Sequence, residues 1–152
     1  MKQGCLEDLL CVRQLDSPDE VGVFDKALEG LSSEVLSKDD LVDLLSVFID
    51  RTRNEEVMYG LLHLIEASDV NSVVVALMQA APTMKAVSSD WLDTFIYRLL
   101  NGDYSRSALI EHLKQTGGTP GGAEITSRLA AIKDDASEKI RERASFVLSS
   151  LS

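Results

Sequence analysis

Apolar residues recur every three to four positions along nearly the whole chain, the period of helices that bury one face. Between residues 55 and 66, Val57, Met58, Leu61, Leu62, Leu64 and Ile65 share one arc of a helical wheel. Glu56, Tyr59, His63 and Glu66 form the opposite stripe, with Gly60 beside it. Residues 89–101 divide in the same way. Trp91, Leu92, Phe95, Ile96, Leu99 and Leu100 face inward, while Asp90, Asp93, Tyr97 and Asn101 face out. In an earlier segment Val21, Phe24, Ala27, Leu28 and Leu31 turn inward, and Asp25 and Glu29 turn out. No alternation of period two is long enough to predict a strand.

The segments are punctuated by caps. A first helix is predicted over residues 3–13. Ser17-Pro18-Asp19-Glu20 supplies an N-cap, a proline in the first turn and a glutamate that closes a capping box, and that helix runs to about Gly30. Ser37 caps a third helix, with Asp39 and Asp40 near its positive end. Asn54-Glu55-Glu56 opens a fourth. Asp69 or Asn71 opens a fifth, predicted to end near Pro82. Ser88 or Ser89 starts a sixth, which Asn101-Gly102 stops, and Ser105 starts a seventh, which Gly117-Gly118 ends. Thr119-Pro120-Gly121-Gly122 reads as the loosest joint in the chain, followed by helices over about 123–133 and 137–151.

Helix starts spaced by about 15 to 20 residues make two-helix units of a size found in helical-repeat solenoids. The expected fold is therefore all-α, with about nine helices whose hairpins stack in two layers, as a HEAT-like or irregular α-solenoid. The segment Asp135–Ala144 resembles the second half of a HEAT repeat. A single domain is expected over residues 1–152, with 119–152 as its C-terminal helical extension. In such a stack alternate helices share a layer. The second, fourth and sixth helices would then merge their polar stripes into one acidic surface bearing Tyr59 and Tyr97.

Composition narrows the function. With 45% hydrophobic and 26% charged residues the 152-residue chain has the balance of a globular protein. No apolar run approaches the roughly 18 residues of a membrane span, and no apolar segment precedes the acids at the N-terminus, so a cytoplasmic location is expected. Of the net charge of −10, residues 1–50 carry −8, from twelve acids and four bases, and residues 102–152 are balanced at seven each. Such a field repels nucleic acid and anionic lipid and speeds encounter with a basic protein. Cys5 and Cys11 stand six apart on one helix and cannot bridge, so both are expected as small buried hydrophobes.

Chemistry is hard to place. His63 and Glu66 have i, i+3 spacing, but no second histidine motif completes a metal or acid–base site, and His112 follows Glu111 directly. The glycine-rich segments lack a P-loop lysine and a preceding strand, and the serines lack a nucleophile elbow. No enzyme activity, cofactor, metal or small-molecule substrate is expected.

The block Asp50-Arg51-Thr52-Arg53-Asn54-Glu55-Glu56-Val57-Met58-Tyr59-Gly60-Leu61-Leu62-His63-Leu64-Ile65-Glu66 leads to Ala81-Pro82, then to Trp91 and Arg98-Leu99-Leu100-Asn101. This order, over about residues 40–115, resembles the immunity protein 30 family of bacterial polymorphic-toxin systems. The resemblance implies a non-enzymatic protein that binds and neutralises a cognate toxin. It singles out Glu56, Gly60, His63, Glu66, Trp91, Arg98 and Asn101 as recurrent positions. Trp91 lies on the apolar arc and Asn101 at a helix stop, which leaves Glu56, His63 and Glu66 on the outward stripe. The expected partner-binding set is Asp25, Glu29, Glu56, Tyr59, His63, Glu66, Asp90, Asp93 and Tyr97. The expected partner is a basic toxin domain, with no nucleic acid and no membrane. The alternative is a helical-repeat scaffold or adaptor for another protein.

Overall fold

The computed structural model describes residues 1–135 and 137–152, with every side chain among them except that of Asp135. The HEAT-like segment Asp135–Ala144 thus lies partly outside the described residues. Among those residues there are nine helices and no strand. They are α1 (Gln3–Val12), α2 (Pro18–Leu31), α3 (Lys38–Leu45), α4 (Glu55–Glu66), α5 (Val70–Val87), α6 (Ser89–Asn101), α7 (Asp103–Thr116), α8 (Pro120–Asp135) and α9 (Glu138–Ser150). The all-α expectation holds. The helices gather into two compact units, Met1–Ala76 and Leu77–Ser152, and α5 runs from one into the other.

In the first unit α1 packs on α2, and α4 packs on both α2 and α3. The core takes the residues that the wheels turned inward: Phe24, Ala27 and Leu31 from α2, and Met58, Leu61, Leu62 and Ile65 from α4, joined by Leu41, Leu44, Leu45 and Phe48. Each of the leucine, isoleucine, methionine and phenylalanine side chains contributes roughly 1.5–3 kcal/mol by leaving water. The serine and asparagine caps of α2 and α4 form as the sequence implies, but the expected Ser17–Glu20 capping box does not close, because Glu20 Oε1 accepts from Asp16 N at 2.8 Å rather than from Ser17 N. The Ser17 hydroxyl accepts from Glu20 N, and the Asn54 side chain accepts from Val57 N. Asp69, rather than Asn71, opens α5, because its carboxylate accepts from Ser72 N at 3.0 Å. Ser37 and Asp40 form a reciprocal capping box on α3. The Ser37 N–H holds the Asp40 carboxyl below the usual carboxylate range, against a smaller opposing push from burial.

Between α1 and α2 the chain turns through Leu15, a non-glycine residue at φ 54° whose side chain is nevertheless buried. A left-handed leucine costs about 1–2 kcal/mol. Long-range bonds hold it there: Thr52 Oγ1 donates to Arg13 O at 2.9 Å, Arg53 N donates to Gln14 O at 2.8 Å, and Arg53 Nε meets Asp16 at 2.9 Å.

In the second unit α6 buries Trp91, Leu92, Phe95, Ile96, Leu99 and Leu100 against α7, α8 and α9. Two expectations fail here for a shared reason. Pro82 does not end α5, which continues to Val87, and Thr119–Gly122 is not a loose joint. Proline removes the N–H that would bond to the carbonyl four residues back, at Met78. The first turn of α8 lies against that carbonyl, so close that a Cβ on Gly121 would overlap its oxygen, and one on Gly122 would overlap the Thr116 carbonyl. Both glycines are buried. Thr119 is the cap, accepting from Gly122 N at 3.1 Å through its hydroxyl and from Ala123 N through its carbonyl, and Pro120 takes the first helical position.

Three smaller corrections follow from local geometry. The seventh helix starts at Asp103, not Ser105, because extended backbone at Gly102 completes the turn, and the Ser105 hydroxyl donates back to Leu99 O at 2.7 Å. The cysteines are not buried: Cys11 is exposed, and half-buried Cys5 packs its sulfur on Gly30 of α2. Helix α5 is eighteen residues long with a mean hydropathy of 1.2, enough by length and composition for a membrane span, although no unbroken apolar run reaches that length. It buries Val73, Val74, Ala76, Leu77, Met78, Ala80, Ala81 and Met84 in this structure, as a core helix does.

Candidate partner-binding surface

The predicted stripe on α4 is outward. Glu56, His63 and Glu66 are exposed and Tyr59 is half-buried. The rings of Tyr59 and His63 stand 6.2 Å apart, and His63 Nδ1 lies 3.6 Å from Glu66 Oε1. The spacing i, i+4 and i, i+3 on one helix face produces this row. On α2, Asp25 and Glu29 are exposed as expected.

Close packing sets the two helices side by side. A Cβ at Gly60 would sit 3.0 Å from Leu28 Cδ1, so the missing side chain is what lets α2 approach α4. Farther along, Ser32 just past the end of α2 and Leu64 with Ala67 at the end of α4 line one cavity. The register advances in the same sense on both helices, so α2 and α4 run parallel, as alternate helices of a layered stack should. Asp25, Glu29 and the α4 row thus lie on packed helices of one unit.

Charge divides along the same boundary as the fold. Residues 1–76 hold sixteen acids and six bases, a net of −10, while residues 77–152 hold nine of each. The whole net charge of the protein belongs to the first unit.

The third helix of the predicted surface, α6, belongs to the second unit. There Asp90 and Tyr97 are exposed, Tyr97 at 36%. Asp93 has another engagement. Its carboxylate accepts from Arg128 Nη1 at 2.9 Å, while Arg128 Nε donates to Glu124 at 2.8 Å and Nη2 donates to Ser89 Oγ at 2.9 Å. Lys85 adds a second cation 3.4 Å from Glu124. Burial pulls the Arg128 guanidinium down, and the bonds and charges of Asp93 and Glu124 more than reverse that, holding it above its ordinary value. Asp93 thus ties α6 to α8 within the fold. Arg128 went unremarked in the sequence; only its i, i+4 spacing from Glu124 marked it.

Compared with known families, residues 11–109 match immunity protein 30, nearly two thirds of the chain. The chain belongs to the immunity protein 30 family. No curated protein and no solved structure matches it. The family match begins at the end of α1 and stops within α7, so α8 and α9 lie beyond it. All seven positions singled out by the resemblance fall inside the family region, and the structure separates them by role. Trp91 is buried in the core of the second unit. Gly60 is the α2 contact, and Asn101 closes α6 and accepts from Arg143 Nη1 at 2.6 Å. Glu56, His63 and Glu66 point outward on the acidic unit, and Arg98 is exposed. Among the described residues no group of three or more His, Cys, Asp or Glu is placed to hold a metal ion.

Proposed function

We propose that this immunity-family protein neutralises a cognate bacterial toxin in the cytoplasm by covering a basic toxin face with its first unit. The observation that carries the reading is the confinement of the net charge of −10 to residues 1–76, where the parallel α2 and α4 present Asp25, Glu29, Glu56, His63 and Glu66 beside Tyr59. Long-range attraction speeds encounter, and a partly desolvated tyrosine among acids supplies the anchor once contact forms. Asp90 and Tyr97 on α6 are the second unit's own candidate contacts, whereas Asp93 acts through the fold. No catalysis by the immunity protein is required, because occlusion by a bound protein suffices.

The test pairs growth with kinetics. A candidate toxin domain, sought among the genes flanking this one, is expressed with and without the protein, and purified binding is followed at two salt concentrations. Rescue of growth is expected, with association slowed several-fold by salt and dissociation little changed. Tyr59→Ala should weaken binding by about 2 kcal/mol with an unchanged melting temperature. Failure to rescue and to bind refutes the reading. A salt-independent association rate refutes the electrostatic part.

A further inference from the structure

The α4 row holds the only histidine of residues 1–76, and that histidine faces an acid. His63 Nδ1 lies 3.6 Å from Glu66 Oε1, and its ring stands 6.2 Å from that of Tyr59. At 3.6 Å the two groups are too far apart for a hydrogen bond but close enough for an ion pair. The contact therefore gains its strength only when the imidazole carries a second proton. Histidine takes up and loses that proton between about pH 5 and 8, a range in which ordinary carboxylates and lysines keep their charge.

The charged groups that the fold sets around His63 are mostly acids. On α4 itself Glu56 stands two turns before it and Glu66 one turn after. The helices α2 and α3 pack on α4. On α2 the charged residues nearest in sequence to the Leu28–Gly60 contact are the exposed acids Asp25 and Glu29, while Lys26 lies about 160° around the helix from Leu28. On α3 Lys38 is 3.5 Å from Asp39, Asp40 holds Ser37 N and the Met1 amino group, and Asp43 is exposed. Asp69, just past α4, caps α5. Histidine is the residue type on α4 that changes charge near neutrality, and here it changes from zero to one positive charge within the row of acids.

We propose that His63 is a pH-sensitive brake on toxin capture: protonated, it occupies Glu66 and repels a basic partner, and neutral, it leaves that carboxylate to a cation of the toxin. The proposal rests on the toxin-binding reading above. One carboxylate then has two competing cations, one internal and one from the partner. The His63 side chain is 62% exposed, so water damps its charge in the free protein. A bound toxin excludes that water, and a trapped positive charge facing a basic surface then counts for more. Capture is therefore strongest above the histidine range, weakens as pH falls through it, and loses most of its strength through faster dissociation.

The experiment measures dissociation constants and rate constants for the purified toxin domain found among the flanking genes, at about pH 8 and about pH 5.5. It uses the wild type and three variants at exposed positions, His63→Gln, His63→Lys and Glu66→Gln, each with its melting temperature. Titration of the toxin itself affects all four proteins alike, so the readout is each protein's pH ratio relative to His63→Gln, which is neutral throughout. Wild-type binding should weaken at acid pH about fivefold more than that of His63→Gln. His63→Lys, charged throughout, should bind at least about fivefold more weakly than His63→Gln already at the higher pH. Glu66→Gln should reduce the wild-type ratio to about twofold, because no carboxylate is left to mask. Melting temperatures should stay equal among the four. A wild-type ratio equal to that of His63→Gln, tight binding by His63→Lys, or a ratio that Glu66→Gln leaves at its wild-type value overturns the brake while leaving toxin binding intact. Absence of binding by the wild type at both pH values instead overturns the function, and the brake with it.

Discussion

Replacing Gly121 by alanine should destabilise the protein although alanine is the better helix former. The added Cβ would overlap the Met78 carbonyl oxygen of α5. That atom is backbone, so no rotamer change relieves the overlap, and the first turn of α8 must back away from α5. Overpacking of this kind costs about 1–3 kcal/mol. The helix preference of alanine returns at most about 0.5–1 kcal/mol, and less in a first turn than in a helix interior. The net loss should be about 1–2 kcal/mol. Gly22 is the internal control, because it is exposed within α2 and a Cβ there meets nothing within 4 Å. Gly22→Ala should stabilise by about 0.5–1 kcal/mol. Urea unfolding of both variants, followed by circular dichroism, gives two shifts of opposite sign. A Gly121→Ala protein as stable as the wild type would refute the close approach of α8 to the carbonyl that Pro82 leaves without its helical donor.

Other perturbations test the remaining parts of the fold. Trp91→Ala should cost about 3–5 kcal/mol, because the ring is buried in the core of the second unit; a loss below about 1 kcal/mol in the same urea titration would contradict that placement. Arg128→Leu should cost about 1–3 kcal/mol by leaving Asp93 and Glu124 without their shared cation, discounted because Asp93 is a third exposed, and the additional Asp93→Asn change should recover part of it in a double-mutant cycle. Asp40 has a lowered carboxyl pKa, so its ionised form favours the folded state. That stability is complete above the unfolded carboxylate value of about 3.9 and is lost as pH falls below it through the folded value. Asp40→Asn should flatten the dependence of the unfolding midpoint on pH over that acid window and leave the neutral range parallel to the wild type.

Reading the chain by period and cap was enough for the helices and their buried faces. The inward residues of α6 are all buried, and those of α4 are buried or half-buried. Helical periodicity records which side of a segment avoids water, and that is a local property. The boundaries that failed had a competing local signal. Thr119-Pro120 carries the same cap-and-proline pattern as Ser17-Pro18, but the two glycines after it read as flexibility. Their meaning is steric and depends on the Met78 and Thr116 carbonyls, the first of them some forty residues away along the chain. Cys5 and Cys11 failed for the same reason, since a small apolar residue on a helix is buried only if a neighbour covers it.

The site divides in the same way. Its residue types, their outward direction and the excess of acids in the first half follow from composition and the 3.6-residue period alone. The tertiary structure decided which of them lie on packed helices of one unit. Gly60 against Leu28 set α2 beside α4 in parallel, Arg128 drew Asp93 into the fold, and the division at residue 76 gave the whole net charge to one unit. Charge count and periodicity are sums over neighbours in the chain, whereas a shared surface is a property of distances in space, which only packing supplies.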